Sequence, residues 1–162
     1  MGFKEQIIGY LNEIPDPEIP VISIVELGVI RDVHDTGNNS IEVTITPTYS
    51  GCPAMKQMED DVVRMLKEKG FNEVKIKMVY SPAWTTDWLS EEAKLKLQKY
   101  GIAPPEEKTS DKSFLTGKPK EVTCPRCKSK NTRLVSQFGS TACKAYYQCN
   151  DCLEPFDYFK CI

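Results

Sequence analysis

Cys124-Pro-Arg-Cys127 and Cys149-Asn-Asp-Cys152 stand 21 residues apart, and this spacing constrains the chain more than any other feature. Each Cys-x-x-Cys pair wraps a tight knuckle around one metal ion, and two pairs complete a tetrahedral four-thiolate shell. Between them, Thr132-Arg-Leu-Val-Ser-Gln-Phe138 and Ala145-Tyr-Tyr-Gln148 are rich in β-formers, which predicts a zinc ribbon: two knuckles on a short antiparallel sheet. A unit of about 40 residues buries too little apolar surface to fold alone, and the metal supplies the missing stability. Zinc suits four thiolates, although such a shell also accepts iron, as in rubredoxin-like folds, or a cluster. Cys143 and Cys161 exceed the four ligands needed; each stands as an alternative ligand or as a buried hydrophobe.

The seventh cysteine, Cys52, is the only one before residue 100, so the chain divides. Charge divides it the same way: residues 1–100 carry net −5 and residues 101–162 net +3. The stretch 103–120 is polar, punctuated by proline and nearly free of apolar periodicity, and reads as a linker. The expected layout is a first domain over 1–102, that linker, and the ribbon over 121–162.

In the first domain, Phe3, Ile7, Ile8, Leu11 and Ile14 share a helical face, and Pro15-Asp-Pro17 stops the helix. Val29–His34 and Ser40–Thr46 are β-rich runs flanking Asp35-Thr-Gly-Asn-Asn39, and pair as a hairpin. Met55, Met58, Val62, Met65 and Leu66 then repeat at helical spacing from Pro53 until Gly70. Val74, Ile76, Met78 and Tyr80 alternate as a half-buried strand, and Ser90 opens a last helix that ends near Gly101. Helix, strand, strand, helix, strand, helix implies an α+β fold, a small two-layer sandwich with a mixed sheet and a helical crossover.

The chemistry of this domain concentrates in Pro47-Thr-Tyr-Ser-Gly-Cys-Pro-Ala54, where strand gives way to helix. That position sets Cys52 at the N-cap and Pro53 at the first helical residue. Unpaired N–H groups and the helix dipole there favour a thiolate, hence a nucleophile or soft-metal ligand; the alternative is an inert, buried thiol. Together with Asp16-Pro-Glu-Ile-Pro20, Ser23-Ile-Val-Glu-Leu-Gly28 and Ser81-Pro-Ala-Trp-Thr-Thr-Asp-Trp88, this stretch resembles the iron–sulfur assembly domain of the SufT-type family. The resemblance implies a carrier or targeting factor for clusters, with Cys52 as reactive cysteine and Asp16 and Glu18 in an acidic motif. One cysteine does not hold a cluster that takes four thiolates, so any such site is transient or shared, across a homodimer or with a client. Taken from the residues alone, Asp16 and Glu18 suit turn and cap positions, and Trp84 and Trp88 suit a core or an interface.

Phe138-Gly-Ser-Thr-Ala-Cys-Lys-Ala145 and Glu154-Pro-Phe-Asp-Tyr-Phe-Lys-Cys161 resemble the C-terminus of the PaaD family, the D components encoded with phenylacetyl-CoA epoxidase. That resemblance implies an accessory protein that matures an iron–sulfur or diiron component of a multicomponent oxygenase in aerobic phenylacetate degradation. The implied partners are the oxygenase or reductase components and the iron–sulfur assembly machinery. A structural adaptor docking through its ribbon is the alternative. Epoxidation itself belongs elsewhere, because one histidine cannot supply the paired Glu-x-x-His motifs of a diiron oxygenase. His34 likewise rules against a histidine triad. A near-neutral overall charge, with four thiolates offsetting the ribbon's surplus, argues against nucleic acid. The apolar runs are too short for a membrane span and no signal-peptide pattern opens the chain, so a cytoplasmic location is expected.

Overall fold

A computed structural model describes residues 2–49, 51–105, 121–141 and 143–159. The chain forms two compact units, Met1–Trp84 and Thr85–Ile162. The expected α+β class, with a mixed sheet and a four-cysteine ribbon, is what the structure shows.

In the first unit, α1 (Phe3–Leu11) buries Ile7 and Leu11, and is followed by a turn-rich segment that buries Ile14, Ile19, Ile22, Ile24 and Leu27. Strand β1 (Ile30–Gly37) pairs antiparallel with β2 (Ser40–Ile45). Asn38 and Asn39, at φ 53° and 60°, form the whole two-residue turn. That is the left-handed pair a primed hairpin turn demands, so the hairpin is tighter than the five-residue turn expected. Along β2 the alternation is strict: Ile41, Val43 and Ile45 enter the core.

Helix α2 (Ala54–Glu68) crosses over to β3 (Glu73–Met78), which runs parallel to β2. Ala54, Met55, Met58, Val62 and Leu66 form its buried stripe, packed toward β3 and α1. Each fully buried side chain of this kind stabilises the fold by about 1.5–3 kcal/mol. The result is a three-stranded mixed sheet, β1-β2-β3, with helices against its apolar face.

The second unit starts with a short 3-10 turn, Thr86–Trp88, and α3 (Glu91–Tyr100). Ser90 caps α3, its hydroxyl accepting from Ala93 N–H at 3.0 Å, and Gly101 ends it in the left-handed region. Directly afterwards β4 (Ile102–Ala103) pairs in parallel with β7 (Pro155–Phe159). Strands β5 (Thr132–Ser136) and β6 (Lys144–Cys149) complete a four-stranded sheet in the order β4-β7-β6-β5. Thus α3 and β4 belong to the same compact unit as the ribbon. The expected linker lies outside the described residues from 106 onward.

Ala103, Val122, Ala145, Tyr147, Phe156 and Tyr158 form this unit's core, together with Cys124 and Cys149. Tyr147 stacks on Phe156 at 6.0 Å and meets Tyr158 edge-on at 5.7 Å. The aromatic C-terminal run is therefore core, not an exposed edge, at Phe156, Tyr158 and Phe159.

Candidate metal centre

Each knuckle follows from local backbone geometry. Cys124 N–H donates to Ser129 O at 2.8 Å, and Cys149 N–H donates to Glu154 O at 3.0 Å, so both first cysteines tie to the residue five positions on. The residue after each second cysteine, Lys128 at φ 65° and Leu153 at φ 64°, turns left-handed to close the loop. Neither is glycine, so nothing in their identity announces that backbone turn. The two loops are near copies in geometry, which brings the four sulfurs of Cys124, Cys127, Cys149 and Cys152 within 4.8 Å of one another.

These distances fit a tetrahedral metal. Sulfurs at about 2.3 Å from a zinc ion are about 3.8 Å apart along each tetrahedral edge. Cys124 and Cys152 lie 3.8 Å apart, and Cys127 and Cys149 3.5 Å. Cys124 and Cys149 are wholly buried, while Cys127 is exposed and Cys152 half-buried, so the centre has an inner and an outer pair.

The electrostatics point the same way. Cys149 is drawn down to about 7, chiefly by the Cys152 N–H directed at its sulfur and then by that of Asp151. At Cys152 the Glu154 N–H favours the thiolate, yet desolvation and the three neighbouring thiols outweigh it and push the group up to about 12. Four thiolates this close repel one another until a cation neutralises them. The Arg126 guanidinium is held more firmly protonated by Glu154, 2.6 Å away, and by the Cys152 and Cys124 sulfurs.

A polar clasp joins the knuckles and was not legible as a motif. Ser129 Oγ donates to Asp151 Oδ2, and Asn131 Nδ2 to Asp151 Oδ1 at 2.9 Å. Asn150 Nδ2 donates to Asn131 Oδ1 at 3.0 Å, and Arg126 reaches Glu154. Each bond links a residue beside the first knuckle to one in or beside the second. Such partners orient metal ligands much as the ligands hold the metal. The alternation of Ser, Asn and Asp beside the cysteines was the available signal.

The other expected site residues divide. Cys143 lies outside the four-sulfur cluster, buried, with its sulfur 2.9 Å from Thr141 Oγ1. Cys161 lies outside the described residues. Cys52 is buried at 8% exposure, between β2 and α2. Helix α2 starts at Ala54 with Pro53 as its cap, one residue later than expected, and Cys52 O accepts from Met55 N–H at 3.2 Å. Gly51 precedes it at φ 79°, a conformation that carries the chain from strand to helix and that a side chain strains. In the same segment Thr46 Oγ1 is buried without a hydrogen-bond partner.

Asp16 is a cap: its Oδ1 accepts from Glu18 N–H at 2.9 Å and Ile19 N–H at 2.6 Å, and the residue is 2% exposed. Glu18 is half-buried. Among the described residues Asp16, Glu18 and Cys52 form no ligand cluster comparable with the four cysteines. Trp84 is core, its Nε1 donating to Leu27 O at 2.9 Å, while Trp88 is half-buried. His34 is exposed and pairs with Asp32 at 2.8 Å. No helix among the described residues is long and apolar enough to cross a membrane.

Fold and centre together define a two-part chain, a mixed-sheet α+β unit followed by a cysteine-ligated β ribbon. Residues 4–78 match the iron–sulfur cluster assembly protein family, and residues 108–160 match the PaaD zinc beta ribbon domain. A crystal structure of a domain of unknown function, DUF59, from Bacillus anthracis superposes with a TM-score of 0.55 at 33% identity, covering 59% of this chain and 91% of that one. An Fe–S protein maturation auxiliary factor of Porphyromonas gingivalis is 38% identical over 58% of this chain and 90% of its own. A protein of Escherichia coli K12, provisionally described as a component of 1,2-phenylacetyl-CoA epoxidase, is 47% identical over 97% of this chain and 92% of its own. The chain belongs to the PaaD family.

Proposed function

We propose that this protein is a non-catalytic accessory factor that matures an iron–sulfur or diiron component of a phenylacetyl-CoA epoxidase-type oxygenase. Cys52 is its transient metal or cluster ligand, and the ribbon carries a structural zinc on Cys124, Cys127, Cys149 and Cys152 and docks the client. The observation that carries this reading is the division of thiols between the units. Four converge on one closed centre, while Cys52 alone occupies the strand-to-helix junction of the part that is similar to named Fe–S maturation factors. A single thiol binds a cluster only with help from another molecule, which suits delivery rather than storage. The buried, unpaired Thr46 hydroxyl adds a polar group without a partner in the same segment.

The test compares wild type and Cys52→Ser, purified anaerobically, for metal and acid-labile sulfide, and then for cluster loading of the oxygenase's reductase component. Zinc is expected in both, with client loading lost in the variant. Full loading by Cys52→Ser overturns the reading. The 8% exposure of Cys52 favours a second reading, a structural adaptor in which this thiol only packs. Under it, Cys52→Ser lowers stability but not client loading, and Cys124→Ser abolishes complex formation.

A further inference from the structure

The sheet of the second unit has two faces, and its core uses one of them. Leu134, Tyr147, Phe156 and Tyr158 pack into the core, whereas Arg133, Val135, Tyr146 and Pro155, at the alternate positions, are exposed. Register sets the exposed set side by side: Arg133 pairs with Gln148 and Gln148 with Pro155, and the next row carries Tyr146 and Asp157. A slip in the β5–β6 register leaves Val135 between these rows, 52% exposed. Arg133, Val135, Tyr146, Gln148 and Pro155 line, with Leu134, an open cavity of about 410 Å³. None of them is a metal ligand or a member of the clasp.

Apolar side chains scattered singly over a surface signify little, but here they adjoin a cation without a counter-charge. Arg133 donates to Gln148 Oε1, and Gln148 Nε2 donates to Leu153 O at 3.2 Å, so the amide that steadies the guanidinium is itself held at its other end. Arg64 and Arg126 each pair with a carboxylate 2.6 Å away, while Arg133 has none among the described residues. Asp157, the acidic group of this face, stands a row further on, and its Oδ1 lies so near Gly139 that a Cβ there would come within 2.8 Å. A bond to one neutral amide uses one of the five guanidinium N–H groups and leaves a planar fork that matches a carboxylate.

We infer that this face of the ribbon docks a client segment in which a glutamate or aspartate side chain sits beside an apolar one. The carboxylate meets Arg133, and the apolar group enters between Val135, Tyr146 and Pro155. Charge complementarity selects this occupant, and arginine and tyrosine are the side chains that most often carry the energy of an interface. The inference rests on the client-docking role proposed for the ribbon and supplies its contact surface.

The test measures binding of the full-length, zinc-purified chain to the purified oxygenase and reductase components of the proposed client, at low and at high salt. Wild type is expected to bind one of them, more weakly at high salt. Arg133→Gln should weaken that binding about tenfold or more and flatten its salt dependence, and Val135→Asp, which sets a like charge against the client carboxylate, should weaken it at least as much. Both positions are exposed, so zinc content and the amide spectrum should stay as in wild type. Amide exchange should then reveal a protected client segment containing an acidic residue; converting that residue to its amide should cost as much as Arg133→Gln, and combining the two should cost no more. Equal binding by Arg133→Gln, Val135→Asp and wild type overturns the docking face and leaves the maturation role standing, whereas failure of wild type to bind either component overturns both. A wild-type dimer in sedimentation that Val135→Asp dissociates assigns the face to a second copy and likewise overturns the inference.

Discussion

The two units solve the same problem with different materials. The first buries a continuous apolar set, from Ile7 and Leu11 through Ile41, Val43 and Ile45 to Val62 and Leu66, and holds its one cysteine, Cys52, buried and outside the four-thiol cluster. The second has a thinner core and places Cys124 and Cys149 inside it, so the ligands of its metal centre are also core side chains. The first unit's lone thiol is thus buried where β2 passes into α2, apart from the cluster, whereas two of the second unit's thiols are part of its core. Under the proposed function, metal is a structural requirement in the second unit and cargo in the first.

The sharpest way to break that comparison is to remove the ribbon metal. Strong chelation, or Cys149→Ser, should unfold the β4-β7-β6-β5 sheet while the amide spectrum of residues 3–78 persists; collapse of both halves together would refute the contrast. Leu66→Ala tests the other side. Leu66 is 0% exposed, so its truncation should cost about 2–5 kcal/mol in denaturant melts of the first unit, with zinc content unchanged.

Smaller effects should come from the clasp. Asp151→Ala removes the acceptor of both Ser129 and Asn131, and should speed zinc release to a chromogenic chelator severalfold while the ribbon stays folded. Acid should act at the same residue. Hydrogen bonds from Ser129, then Asn131, hold the Asp151 carboxyl below its ordinary 3.8. A depressed folded-state value means that its contribution is complete above pH 3.8 and is lost as pH falls through the lowered value. Carboxyl-carbon NMR titration should show that depression, and Ser129→Ala should reduce it. The smallest change is expected of Arg126→Ala, whose ion pair with Glu154 is exposed; denaturant midpoints should barely move.

Much of this architecture could be read from a few residues at a time. The stripe of Met55, Met58, Val62 and Leu66, the alternation of β2 and the Ser90 cap each depend on neighbours within a turn or a strand pair, so they appeared where expected. The four-cysteine centre was legible because ligand spacing restricts how a short loop can wrap an ion. Ile102–Ala103 was not: two apolar residues carry no periodicity, and their strand exists only because β7 offers an edge. Lys128 and Leu153 gave no sign of their left-handed backbone, which the knuckle imposes on whatever residue follows its second cysteine.

By itself, then, the sequence determined the metal-binding chemistry of the ribbon and the order of helices and strands, because these arise from local stereochemistry and side-chain period. Tertiary structure alone decided that β4 pairs with β7 and that Asp151 clasps one knuckle to the other. Each of those facts depends on which distant surface the chain finds when it closes, and no window of neighbouring residues contains that information.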